Sequence, residues 1–316
     1  MERYQPSKTL NLLDLVTRPD LVDRGIPVLS ESIFPEGDPD VENQINEAEN
    51  KQAIDFFKQF HMPMITAAGI DLGDCRILEW GGGFGSLAYG TIKNITPKIY
   101  VATDVFPDLV CSLSENLPKW TDVPTAAALL DPQDPLFIKE GVFNVIQSHS
   151  VLHHVLDYSA ALKLLYSRLA SPGILILTEP CLEGYLYCMT VVRMFRKVQK
   201  IPDNVRLNLD DYEQFILERV GSERRNKEFL KQFGSGDKYI YSAYDLLDIA
   251  HDLGAKLMVQ KDHRPLRGNL IWELGLRGAD SALQSKFGKF LDEILPVGAE
   301  NAYFSDLRQV FCFIKS

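Results

Sequence analysis

Ile77-Leu78-Glu79-Trp80-Gly81-Gly82-Gly83-Phe84-Gly85 reads as a short apolar strand that ends in an acid and breaks into glycines. Gly85 to Asn94, which follows, reads as a helix. Glycines between a strand and a helix carry no Cβ atoms, so a ligand can approach the chain closely there. Gly81, Gly83 and Gly85 stand at alternate positions, whereas a dinucleotide fingerprint needs its third glycine one place later, where this chain has Ser86. Glu79 would repel a pyrophosphate and suits a ligand with positive charge at that end. The plain alternative is a tight strand-to-helix turn with no ligand.

Outward from this stretch, Arg76–Glu79, Ile99–Thr103, Ala126–Leu130, Val142–Gln147 and Ile174–Thr178 read as successive strands. The helices between them include Gly85–Asn94, Pro107–Leu117 and Tyr158–Leu169, the last stopped by Ser171-Pro172-Gly173. Alternating strands and helices predict an α/β domain with a mostly parallel sheet. Asp104 closes the second strand about 20 residues past the glycines, where a carboxylate can hold both hydroxyls of a ribose. Val105 and Phe106 would then flank the base. An ordinary helix-capping role is the alternative for Asp104. After the third strand, Asp131 can accept from an adenine amino group or simply form an Asp-Pro turn. The fourth strand runs into Ser148, His149, His153 and His154, beside the crevice where open α/β sheets bind ligands.

As a set, the glycine loop, Asp104, Ser148 to Val155 and Leu169-Ala170-Ser171-Pro172-Gly173-Ile174 resemble class I methyltransferases that use S-adenosylmethionine (AdoMet). The resemblance covers residues 75 to 180 and departs at Ile174, where such enzymes often carry a second glycine. It implies a Rossmann-like, seven-stranded, mostly parallel sheet whose last strand is antiparallel, matching strands expected at Lys256–Gln260 and Gln309–Ile314. AdoMet is then the cofactor, held by Glu79, Gly81, Gly83, Gly85, Asp104, Val105, Phe106, Asp131 and Ser148, with Glu79 meeting its charged amino-acid part directly or through water.

The chain divides on this reading into an N-terminal arm or lid with helices (1–62), the AdoMet-binding core (63–180), a helical insertion (181–241) and the C-terminal part of the core sheet (242–316). A helix over Asn46–Phe60 is expected to end at Pro63. In the insertion, Leu186–Phe195 and the charged run Asp210–Phe233 look helical; Tyr185, Arg193, Arg196, Tyr239 and Tyr241 are candidates to contact substrate from a lid. A core helix with a solvated basic edge explains the first stretch equally well. Ser242 to Asp245 reads as a helix start and Gly254 as its stop.

Methyl transfer from a sulfonium is an in-line displacement, so alignment supplies much of the acceleration and a base is needed only for a protonated nucleophile. His149, His153 and His154 are candidate bases. Adjacent helical residues point about 100° apart, so His153 and His154 should not both face a site; relatives often carry histidine at the position of His154 without using it as a base. Glu179 can orient substrate or be a solvated carboxylate. Thr178-Glu179-Pro180-Cys181 is similar to the nucleophile segment of RNA cytosine-C5 methyltransferases, but the second Pro-Cys is missing, as is the Asn/Asp-Pro-Pro-Tyr of enzymes that methylate planar amino groups.

A net charge of -10 argues against nucleic acid and anionic lipid as partners. The five cysteines lack metal or disulfide spacing, so no metal is expected. No secretory signal or membrane span is seen, which makes cytoplasm the expected compartment. The reading is a methyltransferase acting on a small-molecule acceptor at O or N, in specialised metabolism, with a homodimer allowed. Its alternatives are a protein or peptide methyltransferase, a catalytically inactive AdoMet-binding scaffold, and sulfonium chemistry of another kind such as cyclisation.

Overall fold

The computed structural model describes residues 10–18, 20, 26–31, 34, 51–133, 136–220, 226–234, 236–261, 266–295 and 307–316. Seven strands, β1 (Arg76–Trp80), β2 (Ile99–Asp104), β3 (Thr125–Leu129), β4 (Phe143–His149), β5 (Leu169–Pro180), β6 (Lys256–Lys261) and β7 (Arg308–Lys315), form one sheet in the order β3-β2-β1-β4-β5-β7-β6. β1 runs parallel to β2 and β4, β2 to β3, and β4 to β5. The sheet is mixed but mostly parallel and Rossmann-like, as the resemblance implies. Nearly every residue of β1, β3 and β4 is buried, the pattern of strands covered on both faces. The strand order reverses between β1 and β4, which opens a crevice beyond their carboxyl ends.

Helices α1 (Lys51–Phe56), α2 (Met62–Ala67), α3 (Ser86–Asn94), α4 (Pro107–Trp120) and α5 (Tyr158–Arg168) accompany these strands. Two of the expected ends are corrected. The first helical stretch does not stop at Pro63: a π-helical segment, Phe57–His61, joins α1 to α2, and Pro63 falls in the first turn of α2, where its missing N–H costs nothing. α4 likewise runs through Pro118, because the last turn buries Leu117 and Trp120. The start of β5 differs too. It begins at Leu169, which pairs with Phe143, and an irregularity between Phe143 and Val145 restores the register at Ile174. α1 crosses α3 at Gly90, where an added Cβ would lie 2.2 Å from the Ala53 carbonyl oxygen.

The described part of the arm follows the β3 side of the sheet. Leu29 and Leu129 are tied by backbone bonds of 2.8 Å from Leu29 N to Leu129 O and from Leu129 N to Pro27 O, and Val16 bridges Ile138. Such pairing blunts an exposed strand edge. Most of the expected lid in 1–50 lies outside the described residues.

The chain separates into two compact units, 1–178 with 247–258 and 311–316, and 179–246 with 259–310. After α6 (Leu182–Val198), α7 (Asp203–Val220), α8 (Lys227–Leu230) and α9 (Ala243–Asp252) come α10 (Leu266–Leu276) and α11 (Ser281–Ile294); in the second unit α6, α7, α10 and α11 share an apolar core of Phe195, Ile216, Leu270, Leu274, Phe287 and Leu291. Segment 242–316, expected as the C-terminal part of the core sheet, thus supplies β6 and β7 and, between them, α10 and α11. Leu283, Phe287 and Leu291 recur at helical spacing after Asp280, whose side chain accepts from Leu283 N at 2.7 Å; that signal could have located α11. Among the described residues no helix is long and apolar enough to cross a membrane.

Candidate active site

The glycine loop is left-handed at Gly81 (φ +71°), Gly83 (+52°) and Gly85 (+91°). Gly81 is pinned: a Cβ there would stand 2.3 Å from Val151 Cγ2. Gly83 is the reverse, because a Cβ there meets no atom within 4 Å. Gly85, the residue before α3, lies against Trp120. Gly82 N donates to Thr103 O at 2.7 Å and Gly83 N to Asp104 Oδ2 at 2.9 Å, which ties the loop to the end of β2. The other Asp104 oxygen accepts from Val105 N at 2.8 Å and Phe106 N at 3.1 Å, so this carboxylate also organises the start of α4. Val105 and Phe106 are half-buried beside it. Asp131 accepts from Gln133 N at 3.0 Å, and its own N–H donates to Ser30 Oγ at 2.9 Å.

Across the crevice, β4 ends in Ser148, His149 and Ser150. Ser150 has φ +59°, the one non-glycine residue with positive φ among the described residues, and its N–H donates to Thr178 O at 2.9 Å. Among the described residues, buried Ser148 Oγ, Ser150 Oγ and Thr178 Oγ1 have no hydrogen-bond partner. Strained backbone and unsatisfied hydroxyls together mark a place shaped for something besides stability. The His149 ring stands perpendicular to Phe56 at 5.2 Å. His153 is buried and His154 exposed, on one 3₁₀ turn with ring centroids 4.1 Å apart.

Glu79 is 1% exposed and its Oε2 accepts a short hydrogen bond from Tyr100 Oη. Gln147 Nε2 donates at 2.9 Å both to Tyr100 Oη and to Thr91 Oγ1, while His61 Nδ1 meets Gln147 Oε1 at 3.1 Å. Burial raises the Glu79 pKa to about 8 against the lowering effect of the Tyr100 hydrogen bond, and the Asp104 charge adds to the rise. Burial brings His61 down to about 4, and holds the Tyr100 hydroxyl well above its ordinary value. The sequence reading misses Tyr100, Gln147, Thr91 and His61. Its available signal was a polar residue inside each of two apolar strands, Tyr100 opposite Ile77 and Gln147 opposite Glu79.

The structure therefore brings together Glu79, the glycines, Asp104, Val105 and Phe106 at the carboxyl ends of β1 and β2, and Ser148 and His149 at that of β4. Asp131, His153 and His154 lie in the same compact unit, whereas Glu179, Tyr185, Arg193, Arg196, Tyr239 and Tyr241 belong to the second. Glu179 is fully buried near the end of β5, which removes the solvated-carboxylate alternative. Arg193 pairs with Glu213, and Arg196 with Asp210 at 2.6 Å and Glu213 at 3.9 Å, so both guanidinium groups join α6 to α7. Tyr239 and Tyr241 are buried and stacked at 5.7 Å, and Tyr185 packs on Tyr212 at 6.1 Å.

No protein-family model and no curated protein sequence matches the chain. Solved structures are similar to it. An S-adenosylmethionine-dependent methyltransferase from Mesorhizobium loti is 11% identical, with 80% of this chain and 96% of that one covered, at a TM-score of 0.47. Haemonchus contortus phosphoethanolamine N-methyltransferase 2, in complex with S-adenosyl-L-methionine, is 13% identical over 87% of this chain and 59% of that one, at 0.47. The CMeT domain structure of the citrinin polyketide synthase is 13% identical over 77% of this chain and 47% of that one, at 0.44.

Proposed function

We propose that this protein is an AdoMet-dependent methyltransferase acting on a small-molecule acceptor at oxygen or nitrogen. The observation that carries the reading is Gly83: a left-handed residue with open space where its Cβ would be, hydrogen-bonded through its N–H to Asp104 at the point where the strand order reverses. That cradle suits a ligand lying on the loop backbone. A carboxylate beside it suits a ribose, and the partnerless Ser148 and Ser150 hydroxyls supply donors across the crevice.

In this reading Asp104 holds the ribose hydroxyls, Val105 and Phe106 flank the adenine with Asp131 at its amino group, and Glu79 meets the ammonium of the amino-acid part. AdoMet, when bound, supplies an electrophilic methyl group. The protein's own contribution is alignment: the loop, anchored by Gly82 to Thr103 and by Gly83 to Asp104, fixes the ligand against β4, and fixed geometry lowers the barrier to a displacement. His149, His153 or His154 takes a proton from the acceptor where there is one.

Calorimetric titration with AdoMet and its demethylated product, with NADH as control and Asp104→Ala as comparison, tests the reading. Micromolar binding that is lost in the variant supports it and leads to a screen of small-molecule acceptors. No AdoMet binding, or a preference for NADH, overturns it.

A further inference from the structure

The buried chain from His61 to Glu79 has a direction. Gln147 Oε1 can only accept, so the His61 ring carries its proton on Nδ1, and Nε2 is buried without a partner. The two amide hydrogens of Gln147 go to Thr91 and Tyr100, and the Tyr100 hydrogen goes to Glu79. One branch, through Gln147 and Tyr100, passes hydrogen bonds toward the Glu79 carboxyl, and the other ends at Thr91, whose hydroxyl donates to Leu87 O at 2.7 Å. Among the described residues no lysine or arginine pairs with that carboxyl. The titratable groups facing it are Tyr100 from β2, Asp104 at the end of β2, whose charge disfavours ionisation of Glu79, and, through Gln147, the neutral ring of His61. A buried carboxylate with one neutral donor and a nearby negative charge lacks compensation, and a buried group in that position keeps its proton.

We infer that Glu79 is a neutral carboxylic acid in the ligand-free protein and gives its proton to solvent when a ligand bearing an ammonium group binds at the glycine loop. The inference rests on the reading of that loop as the AdoMet site. The cation of the ligand supplies the compensation that the fold withholds, so binding is coupled to release of one proton, and Tyr100 and Gln147 act as positioning residues that orient the carboxyl.

Titration of the full chain with AdoMet between pH 5.5 and 7, where an α-ammonium stays charged, in buffers of different ionisation enthalpy, tests this. The expected result is release of roughly one proton per AdoMet and an affinity that rises about tenfold per pH unit. Glu79→Gln should release none and show a flat pH profile; release of a full proton by that variant would overturn the inference. An infrared difference spectrum of the unaltered protein needs no variant: the band of a protonated buried carboxyl should disappear when AdoMet binds. Binding with a buffer-independent enthalpy and no infrared change overturns the inference alone. Absence of AdoMet binding at every pH overturns the site reading and the coupling with it.

Discussion

Gly81→Ala tests whether the loop is held by its backbone conformation alone or also by contact with the end of β4. A Cβ in the left-handed region costs about 1–2 kcal/mol. The same Cβ would lie 2.3 Å from Val151 Cγ2, 2.9 Å from Cγ1 and 3.1 Å from Cβ, against an ordinary carbon contact of about 3.5–4.0 Å. Val151 must shift by more than an ångström, next to the strained Ser150, which adds about 1–3 kcal/mol as for other overpacked sites. The expected loss is therefore about 2–5 kcal/mol in total, a large part of the roughly 5–15 kcal/mol that a folded protein has. Gly83→Ala has the same backbone penalty and no clash, so its expected loss is only about 1–2 kcal/mol. Val151→Ala should return about 1–3 kcal/mol to the Gly81→Ala background, a coupling between contacting residues that a double-mutant cycle reads directly. Urea unfolding followed by tryptophan fluorescence, with Trp80 beside the loop, measures each variant. Equal losses for Gly81→Ala and Gly83→Ala, or strict additivity with Val151→Ala, would refute the reasoning. For ligand binding the order reverses: Gly83→Ala, mild for folding, should weaken AdoMet at least tenfold, because its methyl group enters the cradle.

Gly90→Ala places a Cβ against the backbone of Ala53, and backbone cannot swing aside; despite alanine's preference of about 1 kcal/mol for helix, thermal melting should show a less stable protein, and a stabilised variant would contradict the crossing. Asp104→Asn keeps one acceptor for α4 but loses the charge; AdoMet affinity should fall by about 10- to 100-fold, in line with about 1.5–3 kcal/mol for a hydrogen bond to a charged group, while urea stability falls far less. Glu79 has a raised folded pKa, so its contribution is complete below its ordinary 4.5 and is lost as pH rises toward 8, by an amount on the order of 5 kcal/mol for a fully buried group. Relative to Glu79→Gln, the unaltered protein should lose stability across that window in urea titrations; His61, whose lowered pKa acts in the opposite sense between 6.5 and 4, is common to both. Ser150→Gly should stabilise by about 1 kcal/mol through relief of left-handed strain, and unchanged stability would show that the φ of +59° costs little.

How far the sequence carried depended on whether a feature was local. The glycine loop was legible because strand, turn and helix are contiguous, and Asp104 because one parallel crossover has a nearly fixed length. The His61–Gln147 contact joins residues 86 positions apart and Gln147–Tyr100 joins residues 47 apart. Both depend on β4 inserting itself beside β1, and no periodicity in β1, β2 or β4 states that neighbour. Pro63 and Pro118 misplaced two helix ends: Pro63 sits in the first turn of α2 behind a π-helical segment, and α4 runs past Pro118 because its last turn buries Leu117 and Trp120. α10 is apolar around most of its circumference, so it shows no stripe to read. At Arg193 and Arg196 the charge was legible but its destination was not: the acids that take them stand 20 and 14 residues away on α7.

The polar groups around the loop divide by what satisfies them, and the division says where folding ends and ligand chemistry begins. Asp104 is met by Gly83, Val105 and Phe106, Gln147 by His61, Thr91 and Tyr100, and each of those bonds holds neighbouring strands or the loop in register. Ser148, Ser150 and Thr178 hold nothing in the protein with their hydroxyls, although each such buried group costs about 1–3 kcal/mol. An apolar residue of similar size would serve the fold better at all three positions, as Val145, Ile146, Ile176 and Leu177 do earlier on the same two strands. Three such hydroxyls gather at the carboxyl ends of β4 and β5, and the same region carries the strained Ser150. Buried hydroxyls deeper in the fold, such as Thr91, Thr103 and Ser114, are hydrogen-bonded within the protein, so the partnerless ones at this edge are the groups left for a ligand and the satisfied ones behind them hold the fold.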